Sequence, residues 1–149
     1  MSNYVKQLYS DWHMQNWHIA PAEKKSCTTY RTYKHRPQIE SYLTQLDRSD
    51  RHILSRYRCG NRIFPIHNNV TTDKQCSYCN NGASGDEYHY LMKCPAFGLQ
   101  RAEFLPSKVC TNTNLNNFEK LMNTGEPEMQ RILSKFCGFI MAHFEQFMA

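Results

Sequence analysis

Hydrophobic residues recur every three or four positions in several stretches of the chain, which is the spacing of amphipathic helices. This pattern predicts five helices, at residues 4–12, 37–46, 50–59, 115–122 and 127–147. We expect Ser49 to cap the third helix, Gly60 to follow its last residue, and the apolar stripe of the fifth helix to face the core. The stretch from Ser26 to Lys34 alternates threonine and tyrosine, and it predicts a short strand or an extended connector.

The composition is that of a folded protein. Of the 149 residues, 40% are hydrophobic and 21% are charged, which is typical of one ordinary domain and not of a disordered segment. No apolar run approaches the roughly 18 residues that span a bilayer, and the first residues lack the layout of a signal peptide. We therefore expect an intracellular protein, nuclear or cytoplasmic, with no membrane partner. Disulfides are rare in those compartments, so the seven cysteines indicate thiolate chemistry or metal binding.

The positive charge is concentrated between Arg31 and Arg62. This segment holds eight Lys and Arg residues against three Asp and Glu residues, and its excess equals the net charge of the whole chain, +5. Seven of the eight cations are arginines, whose planar guanidinium group binds phosphate through paired donors. The segment is therefore either a solvated helix face or a nucleic-acid-binding surface. The candidate phosphate contacts are Arg48, Arg51, Arg56, Arg58 and Arg62. The candidates for stacking on unpaired bases are Tyr57, Phe64, Tyr78 and Tyr88.

Four residues of metal-binding type lie within nineteen positions. They are Cys76, Cys79, His89 and Cys94, with the spacing Cys-x2-Cys-x9-His-x4-Cys. Two cysteines separated by two residues can bind one ion from a single turn, and zinc accepts a tetrahedral set of three thiolates and one imidazole. The run Asn80-Asn81-Gly82 predicts the chain reversal that such a hairpin needs. We therefore predict one structural Zn²⁺ at this site.

The second half of the motif depends on where a helix ends. His89 and Cys94 are five residues apart, so on a regular helix their side chains would point about 140° apart. Pro95 is expected to end the helix and to let Cys94 turn back toward the ion. Ser84 and Glu87 have the spacing of a capping box and are expected to begin the same helix.

The predicted site has four protein ligands and no open position, so we expect a scaffold and not a reaction centre. Glu87 could serve a hydrolytic metal as a base, but its role as a cap is better motivated. The competing interpretation is a group of buried free thiols with a surface histidine. Cys59 and His67 are a weak candidate for part of a second metal site, and Cys137 is expected in the core. We expect no catalytic residues, no enzyme activity and no small-molecule substrate, because no catalytic triad, phosphate loop or acidic metal pair is found.

The predicted fold is mainly α, a helical domain with a small Cys3His hairpin or knuckle inserted in it. We expect a single domain over residues 1–149. Its successive parts are an N-terminal helix with a linker, a basic helical segment, the zinc-binding hairpin with its helix, and the C-terminal helices. These parts are assigned to residues 1–25, 26–70, 71–96 and 97–149.

The segment from Cys76 to Pro95 resembles a region that follows the polymerase domain in reverse transcriptases of non-LTR retrotransposons. That region has CxxC, an acidic residue and then HxxxxCP, in the order found here. Stretches similar to the family's R-T-Y, Y-L and L-x-R-F-R sequences lie at residues 29–34, 41–43 and 54–58. The chain lacks the paired aspartates that hold catalytic magnesium in a polymerase, and residues 61–69 replace a histidine-bearing stretch of the family.

This resemblance implies a zinc-stabilised accessory module of an RNA-directed DNA polymerase. We expect a non-catalytic domain that binds the RNA of the element or its target DNA. One alternative is a structural zinc module that docks on the polymerase body. Another, from a third class, is a metal-dependent nuclease.

Overall fold

The computed structural model of the chain describes residue 30 and residues 33–35, 38–59, 63–64 and 74–145. The predicted N-terminal helix lies outside these residues. The helices are α1 (Tyr42–Gln45), α2 (Arg48–Cys59), α3 (Gly98–Phe104), α4 (Ser107–Thr111), α5 (Leu115–Met122) and α6 (Pro127–Glu145). A π-helical turn (His89–Lys93) and a 3-10 turn (Pro95–Phe97) connect the cysteine-bearing hairpin to α3. Helix accounts for 67% of the described residues and none of them forms a strand, so the predicted mainly α fold class is confirmed.

Helix α6 forms the centre of the described fold, and α2 packs along it. The hydroxyl of Ser134 donates to the carbonyl of Asp50 at 3.4 Å. One turn further on, Ile53 lies against Gly138, where an added Cβ would be 3.5 Å from the Ile53 Cδ1 atom. The buried face of α6 carries Leu133, Phe136, Cys137, Ile140, Met141 and Phe144. The hydrophobic stripe predicted for the last helix is therefore core, and Cys137 belongs to it.

An aromatic cluster joins the end of α6 to the cysteine-bearing segment. The ring of Phe144 lies 4.8 Å from that of Tyr90, 5.1 Å from that of Tyr78 and 5.2 Å from that of Phe64, measured between centroids. The three contacts have edge-to-face geometry, which is favourable for aromatic quadrupoles. Phe64 and Tyr90 are completely buried. This cluster seats the hairpin on the helical core.

The predicted boundaries are right for α5 and for the start of α6, whose predicted end at residue 147 lies outside the described residues, and they are wrong around the basic segment. Helices α3 and α4 were not among the predicted helices. Helix α1 covers only four residues, and Ile39, expected on the apolar face of a longer helix, is 81% exposed. Asp47, and not Ser49, caps α2, because its carboxylate accepts the backbone N–H of Asp50 at 2.9 Å. Tyr30, placed in the predicted extended stretch, is helical and accepts a backbone hydrogen bond four residues on.

Within the described part of the chain, no helix combines the length and the hydropathy needed to cross a bilayer. The longest of them, α6, exposes Glu128, Arg131 and Lys135.

Candidate metal centre

The first two predicted ligands lie in a short hairpin. The backbone N–H of Cys76 donates to the carbonyl of Ala83, and the N–H of Gly85 donates to that of Lys74, both at 2.9 Å. Gly82 forms the return with a φ of +65°, a value that glycine adopts without the steric cost of a Cβ. Only two residues separate Cys76 from Cys79, so this tight pairing turns both sulfurs to one side of the hairpin.

The predicted cap of the histidine-bearing segment is wrong. The Asp86 carboxylate accepts the backbone N–H of His89 at 2.7 Å, which makes Asp86 the N-cap. Ser84, the expected cap, is exposed and pairs with Gln75 in an isolated antiparallel bridge. Glu87 is fully buried at the start of the helical turn. The helix therefore begins two residues later than the capping-box spacing suggested.

A change of helical pitch brings His89 and Cys94 together. The backbone N–H of Cys94 donates to the carbonyl of His89 at 2.7 Å, a hydrogen bond between residues five apart. Such a π-helical turn places these two residues one above the other, which a regular helix does not do. Cys94 itself has a ψ of 121°, the extended conformation that a following proline favours. The role predicted for Pro95 is confirmed, and the wider turn adds to it.

The four predicted ligand atoms meet in one place. Cys76, Cys79, His89 and Cys94 are all buried, and their sulfur and nitrogen atoms lie within 4.8 Å of one another. The Cys76 and Cys94 sulfurs are 3.7 Å apart, and the Cys79 sulfur is 3.4 Å from the His89 Nε2 atom. In a tetrahedron with Zn–S of about 2.3 Å and Zn–N of about 2.0 Å, these edges measure about 3.8 and 3.5 Å. The residues therefore fit a small tetrahedral ion.

The protonation of the four groups is set by burial and by backbone donors. Burial raises the pKa of the Cys94 thiol to about 12. Burial also acts on Cys76, but hydrogen bonds from the backbone N–H groups of Tyr78 and Cys79 outweigh it and hold its pKa below the ordinary value. The pKa of His89 is lowered by burial and then by nearby cations, which favours the neutral imidazole that a metal requires.

The other described cysteines do not join this cluster. Cys59 is exposed at the end of α2, Cys110 is half-buried and Cys137 is buried in the core. Among the described residues, the Cys76 group is the one cluster with three or more potential metal ligands. His67, the suggested partner of Cys59, lies outside the described residues. The weak prediction that Cys59 and His67 form part of a second metal site therefore stays a prediction.

Arg58, one of the five predicted phosphate contacts, belongs to the protein interior. Only 4% of its side chain is exposed, and its Nη1 atom lies 3.2 Å from an oxygen of Glu40. The same oxygen lies 3.0 Å from the Lys34 ammonium. The guanidinium carbon also lies 4.8 Å from the ring centre of Tyr42 and 5.5 Å from that of Tyr33. The prediction that Arg58 faces nucleic acid is therefore wrong, because a periodicity argument cannot tell a buried ion pair from a basic face.

The remaining predicted arginines stay at or near the surface, apart from Arg62, which lies outside the described residues. Arg48 is exposed at the start of α2, and Arg51 and Arg56 are partly exposed further along it. Arg51 donates to the carbonyls of Asp47 and Leu43 at 3.2 and 3.1 Å. These bonds hold its guanidinium beside the N-terminal turn of α2.

A groove runs along this part of α2. It has a volume of about 720 Å³. Its lining residues are Leu43, Arg48, Ser49, Arg51, His52 and Ser55. Two of the predicted phosphate contacts therefore share one concave surface with hydroxyl groups and an imidazole.

Of the four predicted stacking residues, two are fully buried in the core and two are half-buried. Tyr57 and Phe64 are completely buried, so neither can stack on a base. Tyr78 and Tyr88 are half-buried, and their hydroxyls donate to backbone carbonyls at 3.0 and 2.8 Å. The aromatic part of the predicted interface is therefore wrong for Tyr57 and Phe64.

Comparison with protein family models, with curated proteins and with solved structures found no match to this chain. The chain is a mainly helical protein with an inserted hairpin, and the Cys3His group at this hairpin could hold a metal ion. The likeness to reverse transcriptases of non-LTR retrotransposons continues to rest on the sequence motifs.

Proposed function

We propose that this chain is a non-catalytic, zinc-stabilised accessory module that contacts nucleic acid, as the retrotransposon resemblance implies. The observation that carries the proposal is the buried Cys3His group. Two of the distances between its ligand atoms, 3.7 and 3.4 Å, are close to the edges of a zinc tetrahedron. Three thiolates select a soft or borderline ion such as zinc over magnesium or calcium, which prefer oxygen ligands.

A structural role fits this ligand set better than a catalytic one. A catalytic zinc keeps one position open for water or substrate, whereas here four protein groups surround the site. All four ligand residues are buried, which suits a structural site. Zinc binding would instead connect the hairpin to the π-helical turn and so contribute to folding.

Metal content tests the first part of the proposal. The purified chain is expected to contain about one zinc ion, and Cys79→Ser to lose it, because a Cys3His site needs all four ligands. Cys110→Ser is the matched control, since this half-buried thiol lies outside the cluster and should leave the metal content unchanged. Wild-type protein that is folded and free of metal after growth with added zinc would contradict the proposal.

The groove on α2 supports the nucleic-acid part. Arg48 and Arg51 supply guanidinium groups for phosphate, and Ser49 and Ser55 supply hydroxyl donors beside them. Arg56 adds a third cation further along α2. With Arg58 removed from the set, three arginines remain in the described part of the predicted surface.

A binding titration at several salt concentrations tests this surface. Three phosphate contacts predict a log–log salt slope of about −2 on single-stranded RNA or DNA. The double variant Arg48→Glu/Arg51→Glu should abolish most of the affinity. The charge-matched control Lys108→Glu/Lys135→Glu reverses two exposed lysines on α4 and α6 and should retain it. Equal losses in both double variants would mean that binding is unspecific attraction to net charge.

One observation favours the docking alternative. Ile39, which precedes α1, is 81% exposed, and Leu43, which lines the groove, is 38% exposed. Exposed apolar side chains of this kind are common at protein interfaces. Docking on a polymerase body would predict weak nucleic-acid binding that the arginine reversals leave unchanged. Ile39→Asp would separate the two roles, because it should disturb protein docking and spare phosphate contacts.

A further inference from the structure

A buried arginine reaches the segment that carries two of the four proposed ligands. Arg101 extends from α3 and is 7% exposed. Its Nε atom donates to the carbonyl of Leu91 at 2.6 Å, and its Nη2 atom donates to the carbonyl of Cys94 at 2.9 Å. A longer contact of 3.3 Å joins Nη2 to the carbonyl of Tyr90. One guanidinium therefore connects three backbone carbonyls between His89 and the end of the motif.

Two of these carbonyls, those of Tyr90 and Leu91, belong to the end of the π-helical turn, whereas that of Cys94 also accepts the backbone N–H of Phe97 at 3.2 Å. The π-helical turn ends at Lys93, and the last carbonyls of any helix lack partners within that helix. Pro95 removes a further N–H at the point where the ladder would continue. A buried carbonyl without a donor costs about 1–3 kcal/mol. The guanidinium group of Arg101 supplies donors to the carbonyls at the end of this turn and so stabilises its conformation.

The charge of Arg101 also matches the site. Zinc with three thiolates and a neutral imidazole has a net charge of −1, which is unfavourable in a buried position without compensation. Arg101 is buried and permanently cationic, whereas Lys93, which adjoins Cys94 in sequence, is exposed.

We propose that Arg101 is a positioning residue of the metal centre, which holds the turn between His89 and Cys94 and balances the negative charge of the loaded site. This inference rests on the proposed zinc site. Removing residues that orient metal ligands typically weakens metal binding about 10- to 100-fold. We expect the same range for Arg101→Met, which keeps the length of the side chain and removes both its donors and its charge.

The test compares zinc affinity among variants of the full chain by competition with a chromophoric chelator. Arg101→Lys restores the charge without the fork and should fall between wild type and Arg101→Met. Arg131→Met removes an exposed arginine from α6 and should match wild type. Leu133→Ala lowers global stability from the core, away from the ligands, and controls for weaker folding.

The absorption spectrum of bound cobalt(II) reports the geometry of the ligands and is not changed by a general loss of stability. Arg101→Met saturated with cobalt should show shifted ligand-field bands, because the turn that holds two ligands has relaxed, whereas Leu133→Ala should keep the wild-type spectrum. Zinc affinity of Arg101→Met within about twofold of wild type would overturn the inference and leave the zinc site standing. If Arg101→Met does not fold even with excess zinc, the zinc affinity of Arg101→Lys is the test instead. A wild-type zinc affinity for Arg101→Lys would then overturn the inference. Absence of zinc binding by the wild type would instead refute the proposed function.

Discussion

Arg58 provides the sharpest test of where the basic segment lies in the fold. The sequence places it on a phosphate-binding face, and the structure places it in the interior beside Glu40 and Lys34. We expect Arg58→Gln to unfold more easily than wild type and to bind nucleic acid normally at temperatures where it remains folded. The variant keeps a polar side chain and loses the charge and the fork.

The size of the loss follows from the contacts. Removing one partner of a buried ion pair costs about 3–5 kcal/mol, and Lys34, which lies 3.0 Å from the same Glu40 oxygen, offsets part of that cost. The guanidinium also lies over the rings of Tyr42 and Tyr33, and each such contact is worth about 0.5–1 kcal/mol. The free energy of unfolding should therefore fall by about 3–5 kcal/mol, against a typical total of about 5–15 kcal/mol.

Urea denaturation in buffer that contains zinc, followed by far-ultraviolet circular dichroism, measures this loss. With a slope of about 2 kcal/mol per molar urea, the midpoint should fall by about 1.5–2.5 M. Arg48→Gln, at an exposed position of the same helix, is the matched control and should leave the midpoint unchanged. A midpoint shift below about 0.5 M for Arg58→Gln, together with weaker RNA binding, would return Arg58 to the surface and refute its interior placement.

Three further outcomes are expected. Tyr57→Phe should lower the free energy of unfolding by about 1–3 kcal/mol, because the buried Tyr57 hydroxyl donates to the carbonyl of Glu87 at 2.8 Å. Unchanged stability of this variant in urea would contradict that hydrogen bond. Gly82→Ala should cost about 1 kcal/mol in the same assay, since its φ of +65° strains any residue with a Cβ; Gly82→Asn, which tolerates this conformation better, is the control. Mass-spectrometric mapping after brief iodoacetamide treatment at pH 8 should find Cys59 alkylated and Cys137 unmodified. The reason is that burial raises the pKa of the Cys137 thiol and blocks access to it. Labelling of both cysteines at equal rates would refute this difference.

The metal cluster could be predicted in advance because its determinants are local. Cysteines two residues apart, a glycine for the return and a proline after the last ligand act within a span of nineteen residues. The mechanism that aligns His89 with Cys94 was only half predicted. Proline explains the extended backbone at Cys94, whereas the π-helical hydrogen bond between the two residues had no sequence signature.

Capping was predicted less well than packing. The sequence favours Ser84 and Ser49 as N-caps, and in each case an aspartate two residues away accepts the backbone N–H instead. Both serine and aspartate are good N-cap residues, so propensity does not distinguish them. The choice depends on which residue starts the turn, and that is set by the hairpin for Asp86 and by the end of α1 for Asp47.

The sequence alone determined the elements whose cause lies within a few residues: the Cys3His cluster, the span of α5 and the apolar stripe of α6. Tertiary structure alone decided the burial of Arg58 against Glu40, the burial of Tyr57 and Phe64, and the contact of Arg101 with three carbonyls. The physical reason is that the environment of a charged or aromatic side chain depends on partners distant along the chain. Helical periodicity reports which residues share a face, and packing determines whether that face meets water.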